Sequence, residues 1–211
     1  MIVLPDEREP VAQLLGFLEY GERLAQDCAA AQAALVADPG HRRFLLGQAR
    51  QESMHATVFR GVIAWLAPRR LSATPLLPPL ERYRALVEDA ITRRDLHETL
   101  MAEQLILEGL GEAILNRIEA GLVKRGAPFG RLRRILLHQE EAHHGFGRRL
   151  LDRARAEGAL QPDRLRGRAE EYLGLTQDMV LTLASLFSTI DEDASAWASD
   201  VRLYVPEWCV G

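Results

Sequence analysis

The 211-residue chain is poor in several things. It has two cysteines, Cys28 and Cys209, far apart and in no metal-ligand spacing, which excludes a cysteine-rich zinc or iron site and suits a reducing compartment. Aromatic residues make up 6% and β-branched runs are scarce, which argues against a sheet-based fold. Basic residues give no excess: the net charge is −4, so no global nucleic-acid footprint exists and nucleic acid is not an expected partner. No uninterrupted apolar run is long enough to span a bilayer, and "MIVLPDEREP" turns acidic too early for a signal peptide. The expectation is a cytoplasmic protein without a membrane partner.

Ala, Leu, Glu and Arg dominate instead, with apolar residues at helical spacing almost throughout. Proline and glycine divide the pattern. A first helix is expected from about Pro10 to Ala37, a tight connection at Asp38–Gly40, and a second helix from about His41 to Leu66. Four prolines between Pro68 and Pro79 make a long connection. Helical pattern resumes at Leu80 and runs to about Arg125. Unbroken it would be roughly 65 Å long, so a break is expected near Thr92–Asp95, giving a lead-in and then a main third helix. A tight turn at Gly126–Pro128 leads to a fourth helix from about Phe129 to Glu157, and a fifth runs from near Asp163 to about Ser188. Short turn, long crossover and short turn predict an all-α four-helix bundle with one crossover and an additional C-terminal helix. A single domain over 1–211 is expected, with a bundle core at about 10–157 and a capping helix and tail at about 162–211.

Chemistry concentrates in two stretches. "QESMH" places Glu52 and His55 three apart on one helix face, and "QEEAHH" does the same for Glu140 with His143, or for Glu141 with His144. The shared Gln-Glu-x-x-His wording favours Glu140 and His143. With six histidines, about half such a match is expected by chance, so placement carries the argument. The first and third helices add Glu19 in "FLEYGE" and Glu108 in "LILEGLGE", each in apolar surroundings. Glu19 precedes Glu52 by 33 residues and Glu108 precedes Glu140 by 32, as in two similar hairpins that bring their acids to one depth. Glu22 competes with Glu19, and Glu112 more weakly with Glu108. Gln104, Met101 and His97 precede Glu108 on its face and read as packing or as hydrogen-bonding groups, and Tyr20 reads as packed.

Burying carboxylates without partners costs several kcal/mol each. Two divalent cations offset four carboxylates almost completely, and oxygen-rich ligation with two imidazoles suits iron or manganese. Two ferrous ions together supply two electrons to O2.

Over about residues 10–155 the chain resembles the ferritin-like di-iron carboxylate superfamily, and "LILEGLGEAIL", "ARQESMH" and "EEAHHGFG" are similar to segments of the aldehyde-deformylating oxygenases. The resemblance implies that Glu19, Glu52, His55, Glu108, Glu140 and His143 bind two Fe ions (or Mn, or one of each), with Glu52 and Glu108 or Glu140 as bridging candidates. It implies an oxidase or oxygenase using O2 on a small hydrophobic substrate, supplied by an external ferredoxin-type or flavin-reductase donor. A homodimer is the default assembly. A ferroxidase or a tRNA-modifying hydroxylase are the alternative functions. One departure stands out: Gln51 and Gln139 occupy the positions before the two glutamates where many members carry Asp, so the group that orients each imidazole is neutral here.

Overall fold

Leu14, Leu18, Glu22, Ala25 and Ala29 recur at helical spacing and share the buried face of the first helix, α1 (Arg8–Ala33). The computed structural model describes residues 3–69, 77–126, 130–184, 187 and 193–209. α1 ends four residues before the expected Ala37. The second helix, α2 (Pro39–Leu66), opens on an Asp38 cap whose carboxylate accepts from the His41 backbone N–H at 2.8 Å, with proline tolerated in the first turn. Arg42 reaches back to the carbonyls of Ala33 and Val36 and closes the hairpin. Most of the expected long connection, 70–76, lies outside the described residues. α3 (Pro78–Thr92) begins two residues before Leu80 for the same reason α2 starts on proline.

The expected break falls at Arg93–Asp95, where Arg94 takes a left-handed backbone conformation (φ 56°) and Asp95 caps the next helix through the Glu98 N–H. The third long helix is then composite: α4 (Leu96–Leu100), a π-helical stretch (Met101–Leu107) and α5 (Glu108–Lys124). π-helical backbone is rare and concentrates at functional sites. All seven residues of the stretch are buried, and the Tyr83 hydroxyl donates to the Ala102 carbonyl within it. Buried Glu98 ties its N-terminal side down, held by Arg93 at 3.1 Å and by Arg168 at 2.8 Å.

The turn residues 127–129 also lie outside the described set. α6 (Gly130–Ala156) packs against α5 and the π-helical stretch, while α1 packs along α2. These four long helices form the bundle, with the short α3 against α1 and α7. α7 (Pro162–Thr182) lies on α3 and the π-helical stretch, and α8 (Ala194–Asp200) packs on α7 and α5. The expected end of the fifth helix near Ser188 falls outside the described residues. Among the described residues there are only helices, turns and irregular segments, and no helix is long and apolar enough to cross a membrane.

Gly147 sets how closely α6 approaches the π-helical stretch, since a Cβ there would sit 2.3 Å from Gln104 Cβ. Gly147→Ala should therefore destabilise the fold by about 1–3 kcal/mol, lowering the melting temperature by roughly 2–4 °C per kcal/mol in a thermal scan. An unchanged melting temperature would mean the helices separate without cost.

Candidate metal centre

Four helices each contribute to one buried cluster. α2 supplies Glu52 and His55, one turn apart on the same face, and α6 supplies Glu140 and His143. Glu108 comes from the first residue of α5, directly after the π-helical stretch. α1 supplies Glu22. All six are buried.

The side chains fall into two sets of four, each able to offer ligand atoms within 4.8 Å of one another: Glu22, Glu52, His55 and Glu140, and Glu52, Glu108, Glu140 and His143. Glu52 and Glu140 belong to both, so two neighbouring ions could share them. His55 Nδ1 lies 3.2, 3.0 and 3.1 Å from carboxylate oxygens of Glu22, Glu52 and Glu140. His143 Nδ1 lies 2.8 Å from Glu52 and 3.7 Å from Glu108.

The far side of each ring is held crosswise. His143 Nε2 is 2.8 Å from Gln51 Oε1, and His55 Nε2 is 2.8 Å from Gln139 Oε1. The glutamine before each motif glutamate thus grips the imidazole of the opposite helix. Each amide oxygen accepts the Nε2 proton, which aims Nδ1 at the carboxylates and fixes the ring orientation. Phe44 stacks on Phe146 at 4.1 Å and meets His143 edge-on, which confines that ring further.

The first helix corrects one expectation: the cluster contains Glu22, not Glu19. Glu19 is turned toward Arg23, which donates to it through Nε at 2.8 Å, and lies 3.9 Å from Arg60. The physical reason is helix phase. Glu22 falls on the buried Leu14–Leu18–Ala25 stripe, whereas Glu19, three residues earlier, is rotated by about 60° to the edge of that face, where Arg23 and Arg60 lie. Counting residues between hairpin partners sets depth but not direction. On α6, Glu141 is exposed and lies 3.6 Å from His138, whereas His144 is directed at Glu112, 3.4 Å away, so neither competing pair enters the cluster. Tyr20 accepts from Arg84 at 2.9 Å on the outside.

Two further buried groups were not anticipated. Gln48, one turn before Glu52, donates to Glu108 at 2.8 Å and to Glu103 at 3.0 Å. Glu103, in the π-helical stretch, is fully buried with one unpartnered oxygen. Behind them Gln104 exchanges hydrogen bonds with Gln32 and donates to Gln48. A polar Glu-Gln pair inside the apolar run "LMAEQLILE" was the available signal.

Electrostatics show that the cluster wants positive charge. Burial pushes the Glu22, Glu103 and Glu108 carboxyls well above the usual range, reinforced by neighbouring carboxylates. Burial acts the same way on Glu52, but the His143 and His55 imidazoles beside it prevail and bring it down to about 2. For His55 burial favours the neutral ring, yet Glu140, Glu22 and Glu52 together hold its proton far above the usual value. Both Glu52 oxygens, Glu140 Oε1 and His143 Nδ1 meet their neighbours in the cluster at 2.8–3.1 Å but in no well-directed hydrogen bond. Buried donors of this type fit a pair of divalent cations, which would take the place of the protons.

No protein-family model and no curated protein matches the sequence. Among solved structures, Protein 19 with aldehyde deformylating oxidase activity from Synechococcus superposes with a TM-score of 0.76 at 21% identity, covering 99% of this chain and 91% of that one. The chain therefore has the ferritin-like helical-bundle fold.

Two outcomes follow. In the metal-free protein the raised carboxyls and His55 bind more protons folded than unfolded, so stability falls as pH rises above the unfolded carboxyl value of about 4.5 and on past the unfolded histidine value of about 6.5. Melting scans from pH 5 to 8 should show this decline, and Fe(II) or Mn(II) should reverse it most at the alkaline end. Elemental analysis should show that Glu22→Gln loses bound metal while Glu19→Gln retains it. The opposite ranking would return Glu19 to the ligand set.

Proposed function

We propose that the protein is an O2-dependent di-iron oxidase or oxygenase acting on a small hydrophobic molecule, with Glu22, Glu52, His55, Glu108, Glu140 and His143 holding the ions. A bound ferrous pair supplies two electrons toward O2 and leaves the chain to position the reactants. The observation that carries this reading is the asymmetry around the cluster. Gln51, Gln139 and Phe44 stand between its two buried histidines and the outside, whereas Glu22, Glu108 and Glu140 directly form the polar wall of a cavity of about 30 Å³ between α1 and α5, otherwise lined by apolar groups such as Phe17, Leu18 and Ile114. That volume holds one or two water-sized molecules, a suitable space for O2.

The seam between α1 and α5 widens again toward the start of α1, where Val11, Leu14, Leu15, Ile118 and Leu122 border a second space of about 140 Å³. Arg125 closes its end with two hydrogen bonds to Glu7, at 2.8 and 2.9 Å. An apolar substrate lying along this seam would bring one end to the carboxylate wall while its body displaces water from Leu and Ile side chains. Gly21 and Gly111 border the inner space, and a Cβ on either would meet no atom within 4 Å, so both leave room at the reacting end. Burial of the whole cluster excludes bulk water, and Gln48 holds Glu108 in place. Reducing equivalents would come from an external ferredoxin-type or flavin-dependent donor.

Anaerobic loading with Fe(II), followed by O2, should give O2 uptake with a transient absorbance. Linear aldehydes are the first substrates to try, given the activity named for the similar structure. Gly111→Leu should leave the iron content intact and lower kcat/KM for such a substrate roughly tenfold or more by filling the reacting end. Iron-loaded protein that consumes no O2 would overturn the reading.

A further inference from the structure

On the opposite side, between α2 and α6, the glutamines that cover the histidines are themselves reached from outside. Gln51 binds His143 while His55 binds Gln139, so the two helices run antiparallel, and residues later on α2 lie beside residues earlier on α6. A groove of about 500 Å³ descends there onto Gln51, Gln139 and His143. Its flanks carry the exposed Arg131, Arg134 and His138.

An apolar surface continues from this groove. Met54, Val58, Val62 and Trp65 follow Gln51 along one stripe of α2, and all four are exposed, Trp65 by 67%. Leu132 and Ile135 of α6 stand opposite, also exposed. Contiguous exposed apolar side chains of this size mark an interaction surface. Trp, Met and Arg are the types that interfaces favour.

Charge selects the occupant. α2 and α6 together carry eleven arginines against four acids, and two of those acids, Glu52 and Glu140, are buried in the cluster. Some of these arginines turn elsewhere, Arg42 to the α1 carbonyls and Arg133 to Glu119, but among the described residues the charged lining of the groove itself is Arg131, Arg134 and His138, with no acid. A second copy docked face to face would set arginine against arginine. An acidic protein is attracted, and an apolar centre ringed by arginine suits a protein surface better than a nucleic-acid backbone.

We propose that this α2–α6 face docks an acidic one-electron donor protein, such as an iron–sulfur protein, which delivers electrons through the groove past Gln51 and His143. The proposal rests on the redox reading of the cluster given above. Each encounter oxidises one donor molecule by one electron and reduces the two-metal site by one, so two encounters provide the two electrons that O2 chemistry consumes. The docking face and the substrate seam then lie on opposite sides of the cluster, and donor and substrate do not compete for one entrance.

The test uses the iron-loaded full chain and a plant-type 2Fe–2S ferredoxin as probe. Direct titration at low salt should show binding that weakens steeply as salt is added. Arg131→Glu combined with Arg134→Glu should weaken it at least about tenfold, and Trp65→Ala about threefold or more. A remote control, Arg82→Glu on α3, with half that charge change, should alter it less than about twofold. Iron content and single-turnover O2 uptake by the Fe(II)-loaded protein, with no added reductant, should stay at wild-type levels in all of them. Equal ferredoxin affinity for wild type and the double variant overturns the docking face. So does binding of anionic vesicles or tRNA, in place of ferredoxin, that the double variant loses. Failure of the metal reading would show separately, as missing iron or as no single-turnover O2 uptake by the Fe(II)-loaded protein.

Discussion

Five glutamates share one water-poor level of this bundle, and like charges that close cannot all persist without compensation. Glu22, Glu52, Glu103, Glu108 and Glu140 face only two imidazoles. Without cations the chain resolves the conflict with protons, holding Glu22, Glu103 and Glu108 toward their neutral forms and His55 toward its charged form. Much of the surrounding structure keeps this arrangement from relaxing. Gln51 and Gln139 lock the imidazoles across the α2–α6 interface, Gln48 pins Glu108 to Glu103, and the close approach at Gly147 leaves the π-helical stretch little room to retreat.

The neutral glutamines matter to what the centre can be. A carboxylate behind an imidazole adds negative charge to it, while an amide only orients it. In the proposed centre the cluster's own carboxylates would therefore supply the charge that compensates the ions, and two of them, Glu52 and Glu140, are common to both sets. The geometry is also polarised. Carboxylates face an apolar seam on one side, and histidines face a basic groove on the other. In the proposed function such polarity would separate the side of substrate entry from the side of electron delivery.

Much of this was legible in the sequence because it depends on helical period. Three-residue spacing puts Glu52 with His55 and Glu140 with His143, and the turn positions fix which helices are neighbours. The break before Leu96 followed from length alone. Glu22 was obscured because depth was counted from the turn while facing was not: Glu19 satisfies the count, but Glu22 lies on the apolar stripe. The π-helical stretch has no period of its own to read. It depends on tertiary partners such as Tyr83 and on the tight packing at Gly147, and with it went the placement of Glu103. The crossed Gln–His pairs were half legible: an acceptor at that position could be expected, but its partner on the opposite helix required the fold.

Anomalous diffraction at the iron edge from crystals of the Fe(II)-loaded protein tests the central claim most directly. The account predicts two peaks about 3.5–4 Å apart, one beside Glu22 and His55 and the other beside Glu108 and His143, with Glu52 and Glu140 between them. A single peak, or iron bound elsewhere while these six side chains keep their hydrogen bonds to one another, would contradict it.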